Sequence, residues 1–170
     1  TWGNSIGVDI CATATAYEQV LSSGNLTVTE DAVGSTTIAV DDADLSNNAI
    51  NVGDMISFFS DSAGTTPVTG ETGNEYEVTA INTNDLTIRL KDDPNGAGVQ
   101  NIIPDNSFIK RRWRFADLFD RAPGTSPYST QNSKGTADEM HIVVYDTTGN
   151  ITGFDVDVAG QRTKAVLETY

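Results

Sequence analysis

"EYEVTAINTNDLTIRL", residues 75–90, decides the fold class. Two alternating runs rich in Val, Ile, Thr and Tyr flank Asn82-Thr83-Asn84-Asp85, a cluster of turn-forming residues. That is the pattern of an antiparallel hairpin, with Val78 and Leu86 on either side of the turn. Outward from it the chain repeats the theme. "NLTVTED" (25–31), "STTIAVDD" (35–42) and "DMISFFSD" (54–61) are short β-rich runs separated by Gly, Asn, Asp and Pro. Several antiparallel strands in so short a span favour closure, because closure hides the sheet edges. Residues 22–107 are therefore expected to form a small acidic β-barrel.

The flanks read differently. "NSIGVDIC" (4–11) alternates Ile6, Val8 and Ile10 with small or polar residues, the mark of a half-buried strand. "AYEQVLSSGN" (16–25) has room for one helical turn ending at Gly24. After residue 107, Phe115, Leu118, Phe119 and Ala122 fall at helical spacing before Pro123, which predicts a short amphipathic helix. "EMHIVVYDTTGNITGFDVDV" (139–158) predicts a hairpin with strands at about 139–145 and 151–158 around 147–150. Residues 1–21 and 108–170 together are expected to form a discontinuous β-sandwich-like domain into which the barrel is inserted. The fold class is mainly β (all-β to α+β), with one or two short helices.

The chain has 170 residues, 38% of them hydrophobic and 20% charged, which places it among globular proteins. No apolar run reaches the ~20 residues of a membrane helix, so no membrane insertion is expected. Starting at Thr1 without a leader-like segment, the chain reads as processed or excised. Cys11 is the lone cysteine and reads as a small buried hydrophobe. The net charge of −14 opposes a broad nucleic-acid face. Residues 1–107 hold 16 acidic and two basic side chains, whereas residues 108–170 hold eight of each. Cut there, the chain divides into an anionic body and a neutral one.

Several motifs invite chemistry and are weighed against simpler readings. "APGTSPYSTQNSKGTADEMHIVVYD" (122–146) crowds hydroxyls upstream of the only histidine, His141. Its Gly-Thr-Ser resembles a serine-nucleophile segment, but such enzymes carry their histidine and aspartate earlier in the chain. Pro127 also stands where a nucleophile-bearing helix would continue. A turn-rich connection, with Ser and Thr bonded to their own backbone, is the better reading. His141 lacks the partners of a zinc site and reads as a hydrogen-bonded or exposed strand histidine. "DDADLSNN" (41–48) fails the calcium-loop pattern: from Asp42, Asn47 takes the glycine position and Gly53 the bidentate glutamate position. "KRRWR", namely Lys110, Arg111, Arg112, Trp113 and Arg114, is too narrow and too close to acid for a nucleic-acid patch. It reads as a salt-bridging stripe facing an acidic neighbour, in this chain or the next, with Trp113 either in the core, the favoured reading, or anchoring that contact. No cofactor and no catalytic residue is expected.

"TWGN" before a strand, "FADLFDRAPGTSPYS" with Pro123, Ser126, Pro127 and Tyr128, "ADEMHIVVYDTTGNITG" and "KAVLETY" together resemble the tail sheath subunits of contractile-tailed bacteriophages, notably the T-even-like group. The likeness covers roughly residues 1–20 and 113–170; the inserted region matches only in position and size. It implies a structural protein without enzymatic activity, located in the virion and assembled in the host cytoplasm. Copies would polymerise helically around the tail tube, above the baseplate, in an extended metastable state. Contraction would then drive the tube through the host envelope. Lys110–Arg114 become candidate inter-subunit contacts, and the inserted barrel is expected to project outward. Family members are usually longer, with extended arms that knit subunits together, so the chain resembles an outer-domain fragment expected to be monomeric alone. The rival reading is an adhesive or carbohydrate-binding β-module of a surface protein using Phe58, Phe59 and Tyr76. Exposed coplanar aromatics would favour that module, and buried ones the sheath.

Overall fold

In a computed structural model of the protein, residues 5–21, 27–28, 31–40, 50–93, 95–156 and 162–170 are described. They are mainly β, with two principal antiparallel sheets and only short helices. The chain divides into two compact units, one formed by Thr1–Glu18 and Phe115–Tyr170, the other by Gln19–Arg114.

The second unit is built on strands β2 (Glu18–Leu21), β3 (Thr27–Val28), β4 (Thr37–Ala39), β5 (Met55–Phe59), β6 (Tyr76–Asn82), β7 (Asp85–Leu90) and β8 (Ser107–Arg112). The 75–90 hairpin forms as β6 and β7, closing with Asn82 opposite Asp85. The sheet order is β2-β8-β5-β6-β7-β4, with β3 also pairing β8. Among the described residues it is an open sheet ending in β2 and β4, not the closed barrel expected from strand number. Its inward residues still converge. Leu21, Ile38, Ile56, Phe58, Tyr76, Val78, Leu86, Ile88 and Ile109 belong to one buried cluster, joined by Val99 and Ile103 from the connection before β8. Asp31 bridges Ile103 and the Gly34 N–H donates to the Val99 carbonyl just ahead of β8, while β4, a few residues further on, pairs with β7, so the sheet curls around this core.

The boundary after Arg114 changes the charge picture. Strand β8 lies inside this sheet, between β5 on one side and β2 and β3 on the other, so its cations belong with the acidic residues. Residues 19–114 then carry 14 acidic and six basic side chains, and the remainder 10 and four. The net charges are −8 and −6, and the contrast obtained by cutting at residue 107 disappears.

In the first unit, β1 (Ile6–Cys11) pairs antiparallel with β9 (His141–Asp146), which pairs in turn with β12 (Val166–Thr169). The single turn α1 (Ala14–Tyr17) is capped by the Thr13 hydroxyl, and the chain is already extended at Glu18, well before Gly24. The face of β1 is opposite to expectation. Ile6, Val8 and Ile10 are 47, 58 and 55% exposed, while Cys11 is buried. Gly7 makes the inversion workable, because a Cβ there would collide with the Tyr145 ring. The small residues of the alternation are the ones that fit beneath the β9 aromatics.

Two further expectations fail for local reasons. The helix predicted over 115–122 is a 3₁₀ turn at Ala116–Leu118, after which Phe119 is extended. Its aromatic residues serve separate contacts: Phe115 packs 5.3 Å from the Tyr145 ring, and Phe119 stacks on His141 at 3.9 Å. The Tyr17 hydroxyl donates to the carbonyls of Ala116 and Phe119, holding that turn. The hairpin predicted after β9 does not form either. β10 (Phe154–Val156) pairs with β11 (Arg162–Lys164) and not with β9. The cause is Asp146, whose buried carboxylate accepts from the backbone N–H groups of Thr148, Gly149, Ile151 and Thr152 and so curls the chain away.

Leu86 is fully buried in the hairpin core. Leu86→Ala is expected to destabilise the inserted unit by about 2–5 kcal/mol, measured by urea unfolding.

Candidate functional site

Three places gather the residue types that could carry function: the hydroxyl loop, the basic strand β8, and a cleft beside β5. The hydroxyl loop is organised by two carboxylates. Helix α2 (Pro127–Asn132) starts with Ser126 as N-cap, its hydroxyl accepting from the Ser129 N–H at 3.1 Å, and with Pro127 in the first turn. Pro127 thus begins a helix where the sequence reading had it block one; Ser-Pro at a helix start was the overlooked signal. Asp138 accepts from the Ser126 N–H (2.8 Å), the Ser126 hydroxyl (2.7 Å) and the Ser129 hydroxyl (2.6 Å). These bonds, Ser129's foremost, hold its pKa down at about 2. Glu139 pairs with Arg121 at 2.6 Å and accepts from the Gly124 N–H at 3.0 Å, which keeps its carboxyl below the usual range. Pro123 is buried at the mouth of this loop and Tyr128 is exposed on the helix.

His141 has a different employment. Its Nε2 lies 2.7 Å from the Arg121 carbonyl oxygen, and its ring stacks on Phe119 with Tyr17 edge-on. The Ser126 hydroxyl points its proton at Asp138, so serine, histidine and aspartate do not line up as a proton relay. The Ser126 hydroxyl serves as the helix cap, accepting from the Ser129 N–H while it donates to Asp138.

Strand β8 separates its cations by alternation. Ser107, Ile109, Arg111 and Trp113 are buried, whereas Lys110, Arg112 and Arg114 are half-buried on the opposite face. Arg111 meets Asp54 at 3.5 Å in the interior. Burial raises the Asp54 pKa in spite of the Asn51 N–H and the Arg111 cation. Arg112 forks onto Glu75 (2.8 and 2.6 Å), which Lys91 also approaches at 3.3 Å. Burial works against the Glu75 charge, but these cations prevail and its pKa is lowered. Lys110 lies over the Phe59 ring at 5.6 Å, and Arg114 reaches the Val52 carbonyl at 3.5 Å. The acidic neighbour expected for this stripe is within the same unit: Asp54 and Glu75.

The cleft, about 250 Å³, is lined by Ser57, Phe58, Phe59, Pro67, Glu71, Gly73, Asn74 and Glu75. Its deeper carboxylate, Glu71, is buried and fully engaged. It accepts from the Tyr76 hydroxyl (2.5 Å), the Asn74 amide (3.1 Å) and the Asn101 N–H (2.7 Å). Burial and this carboxylate together push the Tyr76 pKa far up. Of the three aromatics named for a binding module, Phe58 and Tyr76 are buried and tilted against each other at 5.7 Å, leaving Phe59 at the cleft. The acidic segment 41–48 lies outside the described residues. Among those described, no cluster of three or more His, Cys, Asp or Glu is placed to hold a metal ion, and no helix is long and apolar enough to cross a membrane.

Asp138 has its pKa lowered from 3.8 to about 2, so its hold on the loop is complete above pH ~4 and is lost as pH falls towards 2. Limited proteolysis with an acid-active protease is expected to cut residues 122–140 faster over that window. Asp138→Asn should give fast cutting already at neutral pH, assayed with a neutral protease.

The Asp54–Arg111 pair gives a second test. Asp54→Ala alone is expected to cost about 3–5 kcal/mol by leaving a buried guanidinium without its counter-charge, and adding Arg111→Met should recover most of the loss. Urea unfolding of the two singles and the double measures both.

No protein-family model and no curated protein matches the chain.

Proposed function

We propose that the chain is a structural subunit of a phage contractile tail sheath, which polymerises around the tail tube and contracts to drive it through the host envelope. The observation that carries this reading is the employment of the hydroxyl loop. Ser126, Ser129, Asp138 and Glu139 are spent on holding a capped helix and a reverse connection in place. A loop built in that way presents shape rather than chemistry. It is also the segment that carries the sequence likeness to sheath subunits, with Pro123, Ser126, Pro127 and Tyr128 at its centre.

Two further observations support it. The chain leaves one unit after Glu18 and returns to it at Phe115, which is the layout of an inserted body in a discontinuous one. In this reading the curled sheet around Phe58 and Tyr76 serves as the barrel-like insert, and the β1–β9–β12 unit belongs to a sandwich-like layer. The burial of Phe58 and Tyr76 removes two of the three aromatics a carbohydrate-binding module would use, and Lys110 lies over the third. An outward anionic knob finds no support in charge, since both units are net negative to a similar degree. Any outward placement of the insert rests on the likeness alone.

Negative-stain microscopy of the intact gene product expressed alone tests the proposal. Tubes of uniform width, or stacked rings that lengthen with protein concentration, are expected. A protein that stays dispersed at every ionic strength and turns over a small substrate instead would overturn it.

A further inference from the structure

The central strand of the β1–β9–β12 sheet, β9, carries apolar side chains on both faces. The sheet's inner face packs Cys11, Val143 and Tyr145. On its outer face the register sets Ile10 beside Ile142 and Val8 beside Val144, and Ile6, Val8 and Ile10 are 47, 58 and 55% exposed. Met140 (52%) and Tyr170 (66%) extend the same surface: Met140 precedes β9 in the alternation, and Tyr170 exchanges backbone hydrogen bonds with Ile142. A strand with aliphatic side chains on both sides belongs in a middle layer, with something packed on each face. We propose that this outer face seats a neighbouring copy of the same chain. The inference deepens the sheath reading and rests on it for the identity of the occupant.

Charge and area both narrow the choice. Copies carrying −14 repel wherever their carboxylates face each other. Among the described residues the outer face confronts a neighbour with one exposed carboxylate, Glu168, which accepts from the Tyr170 hydroxyl at the margin. Asp146, the register partner of Ile6, is buried beneath its own backbone donors. Two copies can therefore approach here without opposing like charges. With about half of each of five side chains open, the exposed area is on the order of 500 Å², near the upper end of what soluble monomers leave bare. A free-standing complex buries ~800 Å² on each partner. The contact is thus too small to hold a lone pair of subunits, and it suits an assembly in which each subunit is held by several such contacts at once. In a helical row the neighbour presents a different surface to it, so the contact repeats without closing.

A dilution series of amide NMR spectra on the 170-residue chain, taken up to millimolar concentration, provides the test. Amides of residues 6–10 and 142–144 are expected to shift with concentration, together with a second set that marks the complementary surface. Added salt should enlarge the shifts by screening the mutual repulsion. Val8→Lys should abolish them, and the shape-conserving Val8→Thr should weaken them while leaving the spectrum of the dilute protein unchanged. Shifts that stay constant to millimolar concentration overturn the proposal, as do shifts equal in wild type and both variants. Movement confined to this face alone would mean a closed face-to-face pair, which supports the seating of a second copy here and counts against the sheath reading. Tubes formed normally by the Val8→Lys intact protein would defeat this contact and leave the sheath reading standing. Dilution shifts without tubes from the wild type would defeat the sheath reading and leave the contact.

Discussion

Strand β8 is the constraint on which the larger unit depends. It pairs with β5 along its length and with β2 and β3 on its other edge, so removing it would separate the ends of the sheet. Its alternation does two jobs at once. Ile109 and Trp113 enter the interior, and Arg111 enters with them because Asp54 is there to meet it. On the other face Arg112 crosses to Glu75, and Arg89 bonds Glu77 at 2.5 Å on the neighbouring strands. A basic cluster that looks like a docking stripe when read linearly becomes, in a pleated strand, two sets of internal partners on opposite faces.

Carboxylates organise the loops in the same economical fashion. Asp61 accepts from the N–H groups of Ala63, Thr65 and Thr66, which hold its pKa down at about 2 even though burial opposes the charge. Asp138 and Asp146 do equivalent work at the start of α2 and after β9. Burial also disfavours the charge on Asp146, and its four backbone donors outweigh that effect and lower its pKa. Part of the chain's acidity therefore reflects turn construction and not a charged binding face. The same fact accounts for the Ser126 and Ser129 hydroxyls, which donate to Asp138 at the start of α2.

The strand β1 teaches the sharpest lesson about reading alternation. Period two reveals that a segment is extended and that its two faces differ. It does not say which face turns inward. In β1 the large aliphatics face out, because β9 presents Tyr145 at the level of Gly7 and leaves room for no side chain there. The face a strand buries is set by its neighbour's shape, and that neighbour lies more than 130 residues away in the chain. The 115–122 segment failed similarly: helical spacing was present, but Phe115 and Phe119 found separate aromatic partners, and the backbone followed them.

What the sequence determined by itself was local. It specified the β-rich class, the 75–90 hairpin and a buried Cys11, because each depends on period, turn chemistry or residue type over a few positions; it left Trp113 between core and contact, and His141 between a hydrogen-bonded and an exposed side chain. Only the tertiary structure decided the unit boundary at Arg114, the pairing of β9 with β1 and β12, the open curled sheet, and the outward face of Ile6, Val8 and Ile10. Each of those is a long-range pairing, and its free energy comes from surfaces that the chain brings together only on folding.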